Sequence, residues 1–384
     1  MIVQQFLRWM ADAPVARRAE ATSALARAYL HSAMTEADRE AAEAAMTILL
    51  DDPAVQVRRA LAEALSRSAD APREVILALS ADLPDVASLV LERSPVLLDM
   101  ELVDAVAGFA DPLPAAVARR VGLGSQVAAA IAEVGSLQAC QALAGNREAE
   151  IPRFSMIRLV ERHGTDATLR EALMARGETP IEIRQMLLKQ VGDLLSDHPL
   201  VRRGLKDDRA RAVVTEARER ATVTLASTAA PHETPALVEH LVQSGQLTPA
   251  LLLRAVCTGN IVLFTAALAR LSGLGVSRVE AVLGAARGLP LRALLSRAGL
   301  PQRTHGLFQV AIGVWRDLAR EVTPVLAVPG NPAVARLLIG EVLDRYQEQD
   351  GVEADDLVVM LRRFSAEIAR DAARAYMDRT LAAA

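Results

Sequence analysis

LLDDPAVQVRRALAEAL, residues 49–65, sets two aspartates, a proline and an arginine pair between two apolar runs. Such a cluster is either a chemical site or the corner between two packed helices. The spacing favours the corner. Val57, Ala60, Leu61, Ala64 and Leu65 recur at offsets of three and four, which places them on one stripe of an α-helix. Arg58, Arg59 and Glu63 stand outside that stripe. Pro53 suits a first helical turn, and Asp51 or Asp52 supplies a carboxylate able to cap a helix. Asp51, Asp52, Pro53 and Arg58 are therefore expected to form a structural corner, with Arg58 tying one unit to the next. Arg59, directed away from the apolar stripe, stays open as a partner contact.

The same punctuation returns along the chain. Asp52-Pro53 is followed by ADLPD around Pro84, by Asp111-Pro112, by Pro152 and by Thr179-Pro180, in steps of 31, 28, 40 and 28 residues. Each step has room for two short helices and two turns. A unit that small cannot bury its apolar stripe alone, so neighbours must stack on it. Alternating strand patterns with Asn-Gly or Asp-Gly turns are nearly absent, whereas helix starts abound. TEAD at 35–38 and SRVE at 277–280 pair a hydroxyl with a carboxylate three residues on, and ETPAL at 233–237 and LTPALLL at 247–253 set Thr before Pro. The chain is expected to be all-α, a right-handed superhelical α-solenoid of two-helix repeats.

Residues 49–65 resemble the HEAT-repeat pattern, in which a leucine-ended helix turns at Asp/Pro into a second helix carrying Val-Arg. Echoes occur at TPIEIRQMLL, with Ile183-Arg184, and at SDHPLVRRGL, with Asp197 and Val201-Arg202. Ile183, Arg184, Asp197 and Arg202 thus join the expected repeat corners, and Arg203 joins Arg59 as a possible partner contact. The units at Pro84 and Pro112 lack an arginine directly after the matching valine.

Residues 237–301, from LVEHLVQSGQLTPALLLRAVCTGN through RVEAVL to LPLRALLSRAGLP, resemble an uncharacterised bacterial family, a domain of unknown function associated with HEAT-like helices. The resemblance extends over roughly residues 20–320 and implies no established activity and no catalytic residues. Helices are predicted over 234–243, 248–256, 261–271 and 277–286, with glycines at 245, 259, 273, 288 and 299 at C-cap positions. The proline-rich TPVLAVPGNPAV after residue 322 reads as a linker. It leads to two helices, the second striped by Leu357, Leu361, Phe364, Ile368 and Ala372. Three regions follow: 1–226 with HEAT-like repeats, 227–322 of the unknown-function type, and 323–384 with the linker and capping or dimerising helices.

Composition bounds the rest. Of 384 residues, 52% are hydrophobic and only 3% aromatic, so the core must be built from Leu, Val, Ile and Ala. The net charge of −4 gives no bulk attraction to nucleic acid or to acidic membranes. Cys140 and Cys257 lie far apart, which argues against a disulfide framework or a cysteine metal site and fits a reducing compartment. The N-terminal stretch lacks a signal-peptide pattern, and no uncharged apolar run reaches about 18 residues, so a cytoplasmic location is expected.

Candidate sites weaken on inspection. The pairs Arg58-Arg59, Arg119-Arg120, Arg202-Arg203 and Arg362-Arg363 suggest a basic stripe following phosphates, yet acids are interleaved with them. One arginine of each pair is instead expected to bond the aspartate corner of the neighbouring unit, the other being solvated. HETPALVEH spaces its histidines eight apart across a helix start, which fails as a zinc motif. Gly273-Leu-Gly275 follows a helix and not a strand, and nucleophile-elbow and phosphate-loop motifs are missing. DDRARAVVTEARERATVTLA, residues 207–226, reads as the solvated face of a long helix with internal ion pairs. No catalytic, cofactor or metal residue is assigned. The expected function is a non-enzymatic scaffold or adaptor that holds a protein partner on its concave face. A nucleic-acid-binding protein of the HEAT-like DNA glycosylase type is the alternative. The expected state is a monomer, or a homodimer through the last helix.

Overall fold

The computed structural model describes residues 8–10, 12–199, 207–285, 288–321, 331–350 and 356–382. The described residues are helical, with no strand among them. They form two compact units, residues 1–179 and 180–384. The 226/227 point at which the sequence changes character falls inside one continuous helix, Asp207–Thr228.

Unit 1 holds eleven described helices: α1 (Val15–His31), α2 (Glu36–Leu49), α3 (Val55–Leu65), α4 (Arg73–Ser80), α5 (Pro84–Arg93), α6 (Asp99–Gly108), α7 (Leu113–Ala118), α8 (Ser125–Val134), α9 (Leu137–Gly145), α10 (Arg153–His163) and α11 (Ala167–Met174). Each odd-numbered helix packs on the next odd one from α1 to α11. Among the even helices, α2 packs on α4, and α6, α8 and α10 pack in turn. The odd helices thus make one continuous row, and the even ones two shorter runs, α2–α4 and α6–α10. The stripe of α3 centres on Val57, Leu61 and Leu65, each 0% exposed, with Ala62 beside them. Ala60 and Ala64 are half-buried at its margin. The six residues of α7, LPAAVA, are all buried, because small side chains let α5 and α9 close on it from both sides.

The prolines mark helix starts, but not always in the same row. Pro84 is the first residue of α5, while Pro112, Pro152 and Pro180 immediately precede α7, α10 and α12. The 40-residue step contains three helices, α7 to α9, rather than two. It therefore moves the proline corner from the odd row to the even one. Caps follow local chemistry: Thr35 Oγ1, Ser136 Oγ and Asp166 Oδ1 accept the amide three residues on, at 3.2, 3.1 and 2.8 Å.

Unit 2 holds α12 (Ile181–Asp197), α13 (Asp207–Thr228), α14 (Thr234–Gln243), α15 (Pro249–Cys257), α16 (Ile261–Ser272), α17 (Val276–Ala285), α18 (Gly288–Arg297), α19 (Gln302–Glu321), α20 (Pro332–Asp350) and α21 (Asp356–Ala382). Residues Leu251 to Cys257 of α15 are all buried, and this helix packs on α13, α16, α19 and α20. At the core, Phe264 and Phe308 stack at 5.7 Å with 22° between their planes. Leu361, Phe364 and Ile368 join the same core, so the stripe of the last helix is covered by its own unit. Thr248 caps α15 through Leu251 N at 3.0 Å. Ser277, by contrast, lies inside α17, because Gly275 O accepts Arg278 N and Val279 N and starts the helix earlier. Gly273 ends α16 with φ 68°, a left-handed turn that a Cβ would strain. Gly288 opens α18 rather than closing a helix. Among the described residues no single helix is long and apolar enough to cross a membrane.

Candidate functional sites: arginine-linked corners and an arginine-lined cleft

The first corner departs from a simple cap. The N-cap of α3 is Ala54, without a side-chain cap bond, and Pro53 lies two residues before the helix. Asp52 Oδ1 instead accepts Ala54 N at 2.8 Å, closing an Asx turn, and also accepts Arg18 Nη2 of α1 at 2.9 Å, with Arg18 Nε 2.9 Å from Oδ2 in the same ion pair. Arg58 reaches forward: its Nε and Nη2 hold Asp82 at 2.6 and 2.9 Å, while Nη1 donates to Asp52 O at 2.6 Å. Asp82 lies in the turn before α5. Burial pushes its carboxyl up, but the Arg58 fork and the Leu83 amide outweigh burial and hold it below the usual range. The corner thus joins α1, α3 and the start of α5. Asp51 and Arg59 are exposed. Replacing Asp52 by Ala should cost about 1–3 kcal/mol, since Arg18 then loses its partner in a mostly buried place. Urea denaturation checks this, and a loss below the lower figure would show that the turn holds without the ion pair.

The remaining expected corners behave differently. Ile183 is buried in α12, Arg184 is half-buried beside it, and Asp197 is the exposed last residue of that helix. Arg202 and Arg203 lie outside the described residues. Arg119 pairs with Glu92 at 3.2 Å, and Arg363 pairs with Glu216 at 3.0 Å.

A device that the sequence reading missed runs through unit 1. Arg120 Nη1 and Nη2 donate to Leu91 O and Ser94 O at 2.6 and 2.7 Å, closing the C-terminus of α5. Arg162 does the same to Ala132 O and Gly135 O at the end of α8, at 2.6 and 2.7 Å. Arg176 donates to Ala144 O in the last turn of α9 at 3.3 Å and to Asn146 O and Ala149 O just beyond it at 2.5 and 2.7 Å. In each case a guanidinium from one unit satisfies the orphan carbonyls of the preceding one, where the helix dipole also favours a cation.

Both cysteines are buried. Burial pushes the Cys140 thiol up to about 11 and raises that of Cys257 as well. No group of three metal-ligating side chains occurs among the described residues. His305 is buried against Leu300 O at 2.9 Å.

The charged segment 207–226 is not the fully solvated face expected of it. Glu219 is buried, and its Oε1 accepts Thr248 Oγ1 at 2.7 Å. Burial raises its carboxyl above the usual range, against the opposing pull of Thr248 and Arg254. Two of its charges pair across to α21, Arg220 with Asp371 at 2.5 Å and Glu216 with Arg363 at 3.0 Å. The reason is that α15 and α21 cover this side of α13. Between α13 and α21 lies a cleft of about 750 Å³, with a recess of about 180 Å³ sharing Arg220, Glu367 and Asp371. At the recess Arg254, 3% exposed, bonds Glu367 and lies 4.0 Å over the Phe364 ring.

No curated protein and no solved structure matches the chain. A family model does match, over residues 86–328, a span that runs from the third residue of α5 through α19. With well over half of its length inside that match, the chain belongs to the family described as an uncharacterised protein conserved in bacteria (DUF2336).

Proposed function

We propose that the chain is a non-enzymatic helical-repeat adaptor, a right-handed superhelical solenoid of HEAT-like units that holds a protein partner. The helix rows of unit 1 support the solenoid reading, since each unit buries its stripe on the next. The observation that carries the binding role is an exposed apolar strip on one edge of that unit. Met100, Val121 and Phe154 are 71%, 81% and 64% exposed, in three successive units. They share an edge because the helices there start side by side. Gly124, before α8, lies so close to α6 that a Cβ would stand 2.9 Å from Asp99 Oδ2, and Glu150 N, before α10, donates to Leu123 O at 2.9 Å. A row of apolar anchors at repeat spacing suits an amphipathic helix or extended segment of a partner. The contact is thereby drawn to this edge, whereas the sequence alone suggested the concave face.

The test is a photo-crosslinking residue at position 121, compared with one at the exposed Glu63. A discrete crosslinked protein is expected from position 121, lost when Met100→Glu and Phe154→Glu are added. Equal crosslinking from both positions would sink the proposal. The DNA-glycosylase alternative receives less support: no aromatic ring lines the α13–α21 cleft among the described residues, and single-stranded bases need stacking platforms.

A further inference from the structure

We infer that the α13–α21 cleft binds a nucleoside phosphate, its phosphates held by the arginines at the mouth and its ring or sugar in the recess. This goes beyond the adaptor reading and rests on a different unit. The argument starts from local charge. The mouth and recess are lined by six arginines, at 209, 220, 254, 363, 370 and 374, against three acids, Glu216, Glu367 and Asp371. Arg220, Arg254 and Arg363 are matched one to one by Asp371, Glu367 and Glu216. Arg374 shares Asp371 with Arg220 at 4.0 Å, and six arginines against three acids leave three positive charges in excess, inside a chain whose net charge is −4. Arg370 and Arg374 sit one turn apart on the same face of α21, opposite Arg209 on α13. Lysine occurs only at positions 189 and 206, so the choice of arginine says nothing by itself. The local excess does. A multiply charged anion matches a local excess of three positive charges better than one carboxylate does.

The recess selects the rest of the ligand. Its volume of about 180 Å³ is close to that of an engineered cavity that takes up benzene, so one ring fits. Val223, Ala335 and Ile368 supply apolar walls. Two hydroxyls on the wall have already committed their protons to helix carbonyls, Thr228 to Leu225 O at 3.0 Å and Thr258 to Arg254 O at 2.8 Å. What they offer a ligand is lone pairs, which suit the N–H groups of a base or the hydroxyls of a sugar. Arg254 is almost fully buried, and its Nε and Nη2 have no hydrogen-bond acceptor among the described residues. Glu367, the Phe364 ring and the Glu219 carboxyl answer its charge.

Calorimetric titration of the full chain at low salt, with ATP, AMP, pyrophosphate and a single-stranded oligonucleotide, tests the inference. ATP is expected to bind at least about tenfold more tightly than pyrophosphate, the difference coming from the recess. Arg370→Glu with Arg374→Glu, both exposed positions, should weaken ATP at least about tenfold with the circular dichroism unchanged. Thr224→Phe, an exposed position at the recess, should remove the advantage over pyrophosphate and leave pyrophosphate binding as it was. Equal binding of ATP and pyrophosphate by the unaltered chain, or none of either up to millimolar concentration, overturns the inference. So does an oligonucleotide that displaces ATP and binds more tightly per site, which would make the cleft a nucleic-acid groove.

Discussion

Arg176→Ala should destabilise unit 1 by roughly 3–5 kcal/mol, the range for removing one member of a buried charged network. The side chain is 4% exposed, and its guanidinium is shared among three carbonyls. Without it those oxygens keep their desolvation and lose their donor. Its acidic neighbour Glu178 is 56% exposed and can return to water, so the carbonyls carry most of the cost. Arg176→Lys separates charge from geometry: an ammonium keeps the dipole interaction but cannot span all three oxygens, so it should recover less than half of the loss. Urea denaturation with hydrogen exchange in α9 and α11 gives the measurement. A full rescue by lysine would mean that charge alone matters and that the fork plays no part.

That arginine also shows where the sequence stops being informative. The stripe of α3, the cap at Thr35 and the turn at Gly273 were legible because each depends on residues within one or two helical turns. The helix predicted over 234–243 has those same ends in the structure, since Thr234-Pro235 and the glycine at 245 are local signals. Arg120, Arg162 and Arg176 act on carbonyls of the preceding unit. Carbonyls leave no mark in a sequence, and arginine supplies all but two of the 43 basic residues. A pattern of clasping arginines is therefore hidden among many others. The proline step of 40 residues was visible, but its meaning, three helices rather than two, required knowing which row each helix joins.

The cleft was hidden for a related reason. Arg220 meets Asp371 across 151 residues, and Arg363 meets Glu216 across 147. In the run 207–226 the acids look alike, yet Glu216 pairs across the cleft while Glu219 is buried against the hydroxyl that caps α15. Periodicity did point to a long helix. It did not reveal that α21 lies over it, because the stripe of α21 is equally compatible with a second chain. Packing of Phe364 and Ile368 into the core of unit 2 makes the two helices walls of one cleft.

Phe264→Ala should cost unit 2 about 3–5 kcal/mol, the usual range for deleting a buried aromatic side chain. The chain has only six phenylalanines, and two of them, both 0% exposed, stack on each other at the centre of this unit. Their neighbours on α15 and α16 are leucines, alanines and valines, which are too short to fill the space of a lost ring without moving helices. Phe264→Leu keeps most of the volume and forfeits the stacking, worth about 0.5–1.5 kcal/mol on its own. The two variants together therefore divide volume from ring contact. Thermal and urea unfolding, followed by hydrogen exchange in α15, α16 and α19, should show the alanine variant losing protection in all three helices and the leucine variant losing much less. If both lost the same small amount, the rings would be packing no better than aliphatic side chains. Asn260 links this core to the cleft, because it caps α16 through Leu263 N and donates to Ser227 Oγ on α13 at 3.0 Å. Loosening at Phe264 should accordingly reach the recess, and ATP affinity should fall in the alanine variant but hold in the leucine one.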